Sequence, residues 1–443
     1  MRLSQFLNVT LFLTLGFALA SPAARGQSRL DDIKLSSKLD IDINEMKKGD
    51  VKPNRKTLDE FMSYFAQKLQ HPDMFKPAQE FGTTILPMQS TLDQFSARVL
   101  VPEPGQRYNI YQADYIKWFG DAFVATFKPI LETHADRIVR LNAARMLAAG
   151  AACGAPAFGP LVTELITNPN TPAEVKFWAF KAAEGLLAAH DIQKMVGNNP
   201  RGHTLDTVEL GALVKALEEN IFDPTKFVTF PTGVDPKKPP AELGAVVSFI
   251  RRQVVRAYAR IRFASLETGD GKSLYPAFTL ARVAMSDPKI VPAPGPVELA
   301  EAVLGLTAMQ PGNDMMIDAA ADAVATGLIS LASVLNNPNA DAAVKTTPWK
   351  VYGARLRVAL PAWKTLIANS AVPPNRQPQA ATQVVDAAMD AIVIPLEQGG
   401  AAGKVNLNIQ KVTTARQSVR GASGYSKLLL RNDPATSIAG FQN

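Results

Sequence analysis

Five arginines lie close together on one predicted amphipathic helix. They are Arg251, Arg252, Arg256, Arg260 and Arg262. A guanidinium group is planar, permanently charged and rich in hydrogen-bond donors, so such a row could hold carboxylates or phosphates. We therefore predict that the row binds an anionic group of a partner. The alternative is that these side chains face solvent or pair within the fold, because arginine also favours helices for its own sake.

Two other fragments imitate ligand-binding motifs, but each lacks an essential residue. The string LETGDGKS at 266–273 ends like a phosphate-binding loop, yet Leu266 stands where that loop requires its first glycine. Residues 40–44 carry oxygen side chains at alternate positions, as the start of a calcium loop does, but Glu45 replaces the glycine of the sharp turn. We predict neither site and no cofactor.

The residues that most often perform catalysis show no catalytic or metal-binding spacing. The four histidines are His71, His134, His190 and His203, and no Gly-x-Ser-x-Gly turn presents a serine nucleophile. Cys153 lies among small residues without a basic neighbour, so we expect a buried, inert thiol. We predict no metal site and no enzyme. The alternative is a secreted carbohydrate-active enzyme on an α/α toroid, whose carboxylates converge from distant positions.

Helices are predicted to position these residues, because apolar residues recur at helical spacing along most of the chain. The first helix is expected near Thr57, where Thr57-Leu58-Asp59-Glu60 matches a capping box. An aromatic stripe between Tyr111 and Phe127 is expected in the core. In the second half we predict helices at 243–263, 273–285, 297–309, 315–335, 352–368 and 382–396. No segment predicts a strand.

One helix-loop-helix unit occurs twice. NPNTPAEVK at 168–176 and NPNADAAVK at 337–345 share six residues in register, and each follows an apolar helical pattern. A single helical hairpin leaves an apolar face uncovered, which further hairpins must cover. The predicted fold is therefore all-α, an irregular α-α superhelix of stacked helical hairpins.

The string VRLNAARMLAAG at 139–150 resembles the second helix of a HEAT repeat. The residues that carry this resemblance are Val139, Arg140, Ala143, Ala144, Leu147 and Gly150. The start of the pattern returns at 175–179 and again at 255–259. The resemblance is strongest over 137–190 and weaker over 243–368. It implies an armadillo-type α-solenoid, a class that commonly offers an extended surface to binding partners.

The two ends of the chain differ from its middle. Arg2 precedes an apolar run that ends at Ala20, which predicts a signal peptide at 1–20, export to the periplasm or beyond, and no membrane span after cleavage. We further predict a disordered polar linker at 21–56, helical repeat modules at 57–222 and 241–398 separated by a proline-rich break, and a basic, loosely ordered tail at 399–443.

Charge and export together narrow the expected partners. The chain has a net charge of +7, and its tail carries six basic residues against Asp433. Because export makes nucleic acid an unexpected partner, we predict a non-enzymatic scaffold for protein–protein interaction in the periplasm or cell envelope. Besides the enzyme above, a structural envelope protein anchored to anionic envelope polymer by its basic tail stays open as an alternative.

Overall fold

A computed structural model describes residues 30–441, apart from residues 76–77, 81–82, 86, 104–107, 196–204, 269–270, 313, 370–377, 400–405 and 432. The predicted signal peptide and His203 lie outside the described residues. The described chain is mostly helical with very little strand, which confirms the all-α class.

The helices of the first half are α1 (Ser37–Lys48), α2 (Arg55–Gln70), α3 (Pro87–Ser96), α4 (Ile110–Thr133), α5 (Arg137–Ala151), α6 (Phe158–Thr167), α7 (Ala173–Met195) and α8 (Thr207–Phe222). Strands β1 (Ala78–Glu80) and β2 (Thr83–Ile85) pair antiparallel between α2 and α3. Most of the aromatic stripe of α4 lies in the core as predicted, with Tyr115, Phe119, Phe123 and Phe127 buried, but Tyr111 is 37% exposed.

The helices of the second half are α9 (Ala241–Tyr258), α10 (Pro276–Ala284), α11 (Pro296–Ala308), α12 (Ile317–Asn336), α13 (Ala342–Thr346), α14 (Trp349–Asn369), α15 (Pro378–Ala388), α16 (Ile394–Gly399) and α17 (Ile409–Gly421). A π-helical turn, Met389–Val393, joins α15 to α16. Strands β3 (Leu266–Glu267) and β4 (Ser273–Leu274) form a second short antiparallel pair. Most predicted helices are therefore present within a few residues of their expected bounds.

Between α4 and α11, helices adjacent in the chain pack against one another in pairs. Helices α4, α6, α8 and α10 each pack on the helix that follows, and those second helices contact one another in the order α5, α7, α9 and α11, with α14 next. Lys128 of α4 donates to Glu164 of α6 at 2.6 Å, and Arg137 of α5 pairs with Glu174 of α7. These pairs span 36 and 37 residues, close to the repeat step, which is the 36-residue distance between the HEAT-like strings that begin at Val139 and Val175.

The two NPN segments form the same turn. Asn168 and Asn337 each end a helix, and the side-chain oxygen of each accepts the backbone N–H two residues later at 2.9 Å. The helices that follow differ, since α7 has 23 residues and α13 has 5. The repeated string thus reproduces a turn but not a whole hairpin.

The prediction of a disordered linker at 21–56 is wrong over 37–48, which form α1. Ser36 caps its first turn, and Gly49 ends it with a φ of 81°, a left-handed conformation that favours glycine. Only Ile43 and Met46 are buried, so the apolar stripe is too narrow to stand out among charged neighbours. The next helix, α2, begins at Arg55 behind an Asn54 cap rather than at the predicted capping box.

Helix α12 is the apolar centre of the second half. It is long and apolar enough to cross a membrane, with a mean hydropathy of 1.5, but 72% of that window is buried inside the protein. Helices α10, α11, α15 and α17 pack around it. This arrangement is that of a core helix.

The described part of the tail is ordered, which corrects the prediction of a loose attachment. Helix α17 packs on α12 and α15. Arg416 and Arg420 donate to the fully buried carboxylate of Asp322 at 2.7 and 2.9 Å, and Tyr425 donates to it at 2.6 Å. The charges of two of the six basic tail residues are thus paired within the fold.

Candidate functional site

Arg251, the first of the predicted binding arginines, is buried and cannot touch a partner. Its side chain is 1% exposed, and its Nε donates to Glu298 of α11 at 2.5 Å. Its Nη2 also donates to the carbonyl of Pro292 at 2.7 Å. The face of α9 that holds Arg251 packs on α11, so the prediction for this residue is wrong.

Arg256 lies at the surface but shares a buried carboxylate. Arg256 donates to Glu301 at 2.9 Å, and Arg355 of α14 donates to both oxygens of that carboxylate at 2.8 Å. Tyr352 donates to it as well, at 3.1 Å. Burial alone would raise the pKa of Glu301, but the two guanidinium groups lower it below its ordinary value. Two cations on one carboxylate leave a net positive charge on this surface.

Arg260 and Arg262 do not extend the row. Arg260 donates to Glu184 of α7 at 2.7 Å, and Gln253 donates to the second oxygen of the same carboxylate at 2.9 Å. Arg262 lies beyond the end of α9, where its carbonyl accepts the N–H of Gln310. The predicted row therefore divides into residues with different environments.

Arg252 has no carboxylate within ion-pair distance in the part of the chain that the structure describes. Its guanidinium lies 4.2 Å from the centre of the Phe249 ring, one turn earlier on α9. Burial, followed by the charge of Arg256, lowers the pKa of Arg252. A partly buried cation without a counter-charge is stabilised by an anion that approaches it.

Two cations that the sequence analysis missed continue this surface. Lys181 of α7 lies 4.4 Å from the centre of the Trp178 ring, and Arg145 of α5 lies 5.7 Å from the same ring. Phe177 stacks on Phe249 at 5.3 Å, which links α7 to α9. Neither cation has a carboxylate partner among the described residues. Their separation of 36 residues, one repeat step, is the signal that could have found them.

The electrostatics confirm that these cations are neighbours. Burial lowers the pKa of Lys181 most, and the charges of Arg256, Arg252 and Arg145 lower it further, whereas the carboxylate of Glu184 opposes the shift. We name the surface formed by five cations on α5, α7, α9 and α14 the basic strip. Its members are Arg145, Lys181, Arg252, Arg256 and Arg355.

Exposed apolar side chains flank the basic strip. Val246 and Phe249 of α9 are 47% and 48% exposed. Val351 and Val358 of α14 are 54% and 69% exposed, and they lie on the same helical face as Arg355 because the three are spaced by four and three residues. The surface can therefore contact both anionic and aliphatic groups.

The remaining motifs have structural explanations. The two ends of the string at 266–273 lie in the β3–β4 pair, and Asp40 lies in α1, where it accepts a hydrogen bond from Arg98 at 2.6 Å. Cys153 is 1% exposed, and burial raises the pKa of its thiol to about 12. Over the described ranges, no group of three or more His, Cys, Asp or Glu side chains is arranged to hold a metal ion.

The buried acid pairs do not face an open cleft. Glu298 and Glu301 of α11 are 1% exposed and bound by arginines, and Asp318 and Asp322 of α12 lie under the tail. A shallow cavity of about 540 Å³ lies between residues 32–34 and α2 and is lined by several charged side chains.

No family model, curated protein or solved structure matches the chain.

Proposed function

We propose that the chain is an exported, non-enzymatic scaffold that binds a protein partner along the basic strip, in the periplasm or cell envelope. The observation that supports this best is the set of three cations, Arg145, Lys181 and Arg252, that lie on successive second helices without a carboxylate partner among the described residues. A surface that keeps such groups partly buried and unneutralised favours an anionic ligand.

We also propose that the array is an irregular α-solenoid of the HEAT-like kind. The neighbour-to-neighbour packing of the second helices and the ion pairs one repeat step apart support this architecture. The irregularity is local: the third HEAT-like string, at 255–259, falls in the last turn of α9, whereas those at 139–143 and 175–179 fall in the first turns of α5 and α7.

The other two functions find less support in the side-chain contacts. For a carbohydrate-active enzyme, the buried acid pairs would need to reach a substrate, but arginines already occupy Glu298 and Glu301. For an envelope anchor, the tail would need free charge, and three of its six basic residues are already paired, Lys411 with Asp390 and both Arg416 and Arg420 with Asp322. The anchor would therefore have to rely on the remaining basic residues.

The proposal is tested by site-specific photo-crosslinking in the cells that make this protein. A crosslinking residue with an aromatic ring replaces Phe249, which lies on the strip and is 48% exposed, so that every cation and the ring beside Arg252 are retained. The matched control replaces Val208, which is 61% exposed and lies on α8, a helix that carries no member of the strip. We expect a discrete protein adduct from position 249 and none from 208. Adducts at 208 alone, or at neither position, would contradict the proposal.

A further inference from the structure

We propose that the ligand of the basic strip is an acidic peptide segment with interspersed aliphatic side chains. This inference rests on the proposed function and specifies the chemistry of the partner. Three features of the strip carry it: its excess of positive charge, the contacts that already occupy its aromatic rings, and the exposed valines beside it.

The charge of the strip requires several anionic groups. Two of the five cations, Arg256 and Arg355, share the carboxylate of Glu301, and the other three have no carboxylate within ion-pair distance among the described residues, which leaves an excess of four positive charges. Glu184 also lies close enough to raise the pKa of Lys181, but its carboxylate already accepts a hydrogen bond from Arg260 at 2.7 Å. The cations come from four helices, so a single small anion could reach only part of the strip. A segment with several carboxylates can pair with more of them.

The aromatic rings of the strip hold the cations in place. Trp178 contacts Lys181 and Arg145, and Phe177 contacts Lys181 while it stacks on Phe249. Nucleic acids and sugars gain affinity from open ring faces on which bases or pyranose rings stack. Because cations and neighbouring rings already occupy these faces, the strip favours a ligand that contributes charge rather than stacking.

The apolar flank selects a peptide over other polyanions. Val351 and Val358 are exposed on the face of α14 that also presents Arg355, and Val246 is exposed on α9. Burying these side chains against aliphatic groups of a ligand is favourable. Peptides with Leu, Ile or Val supply such groups, whereas nucleic acids and uronate polymers do not.

The purified full chain is tested by selecting binders from a library of short random peptides. We expect enrichment of Asp and Glu together with Leu, Ile and Val, and weaker binding of the selected peptides at high salt. The double variant Lys181→Gln/Arg252→Gln should weaken binding of the selected peptides by about tenfold or more, because each substitution removes roughly one exposed charge contact with the peptide. Val351→Ser/Val358→Ser should weaken it by about threefold to tenfold. Lys215→Gln, on exposed α8 surface, is the control and should have no effect.

Three outcomes would overturn the inference. They are selection of no acidic aliphatic peptide, equal binding after aliphatic residues in the peptides are changed to serine, and tighter binding of single-stranded DNA or polyuronate than of the peptides. The peptide measurements use the purified chain and do not depend on the crosslinking in cells. A protein adduct at position 249 without acidic aliphatic peptide binding would therefore contradict the ligand chemistry but not the scaffold proposal.

Discussion

Neighbouring arginines of α9 have different roles because successive residues of a helix point about 100° apart. Arg251 faces α11 and is buried on Glu298, whereas Arg252 lies beside the exposed ring of Phe249. The sequence predicts a basic helix, but the packing face is set by α11, whose contact is distant in the chain. Arg252 and Arg256 are partly exposed, as a binding row requires, whereas the prediction that Arg251 lies on the surface is wrong.

The buried pair of Arg251 and Glu298 should matter for stability far more than an exposed pair. We predict that Glu298→Ala lowers the free energy of unfolding by about 3–5 kcal/mol, since it leaves a buried guanidinium without its carboxylate. Asp386→Ala, which removes the exposed partner of Lys364, should cost less than about 1 kcal/mol. Urea unfolding measures both. Losses of similar size would show that Arg251 is adequately solvated without Glu298.

Glu218 should make the stability of the protein depend on pH. Burial raises the pKa of this carboxyl, although a hydrogen bond from Thr279 opposes the shift. A raised pKa in the folded state means that the folded protein binds more protons, so this group's contribution to stability decreases as pH rises from its ordinary pKa through the folded pKa. We predict that Glu218→Gln is similar to the wild type near pH 4 and gains stability relative to it near pH 7. A constant difference in urea unfolding across that range would contradict the prediction.

At the scale of elements, prediction succeeded where the apolar stripe was wide. The segments predicted at 243–263 and 297–309 correspond to α9 and α11, which bury many apolar residues. It failed for α1 and α17, each of which buries only two apolar residues. Helix α17 is held by Asp322, whose ion pairs to Arg416 and Arg420 span about a hundred residues of chain and leave no local signal.

Helix α17 should depend on Asp322 for its attachment. We predict that Asp322→Asn makes residues 409–421 susceptible to limited proteolysis, because two largely buried guanidinium groups lose their shared carboxylate. The matched control is Asp390→Asn, which removes the exposed partner of Lys411 and should leave the tail resistant. Cleavage sites located by mass spectrometry check the result. Equal resistance of the two variants would show that apolar packing on α12 suffices to hold α17.

At the scale of the whole molecule, the basic strip exists only because the hairpins stack. Its cations come from α5, α7 and α9, which pack in succession, and from α14, which packs on α11 next to α9, although these residues span positions 145 to 355. The resemblance to HEAT repeats implies an extended binding surface, but the sequence predicts binding residues only between Arg251 and Arg262. Lys181 and Arg145 could have been found from their 36-residue spacing, whereas Arg355 could not, because its link to Arg256 runs through the buried carboxylate of Glu301.

The side-chain contacts show which cations of the basic strip can be reversed in charge without disturbing the fold. Replacing Arg256 with Glu would bring a second carboxylate against Glu301 and would disturb the fold as well as the surface. Among the described residues, Lys181 and Arg252 contact rings and form no ion pair, so their charges can be reversed with less effect on stability. The matched control reverses the exposed Lys215 of α8.

The most direct measurement of the central claim is the yield of partner adduct from the crosslinker at position 249, with and without Lys181→Glu/Arg252→Glu. We predict that the double reversal abolishes the adduct while the urea midpoint stays close to that of the parent, and that Lys215→Glu leaves the adduct intact. An undiminished adduct in the folded double variant would contradict the assignment of the basic strip as the binding surface.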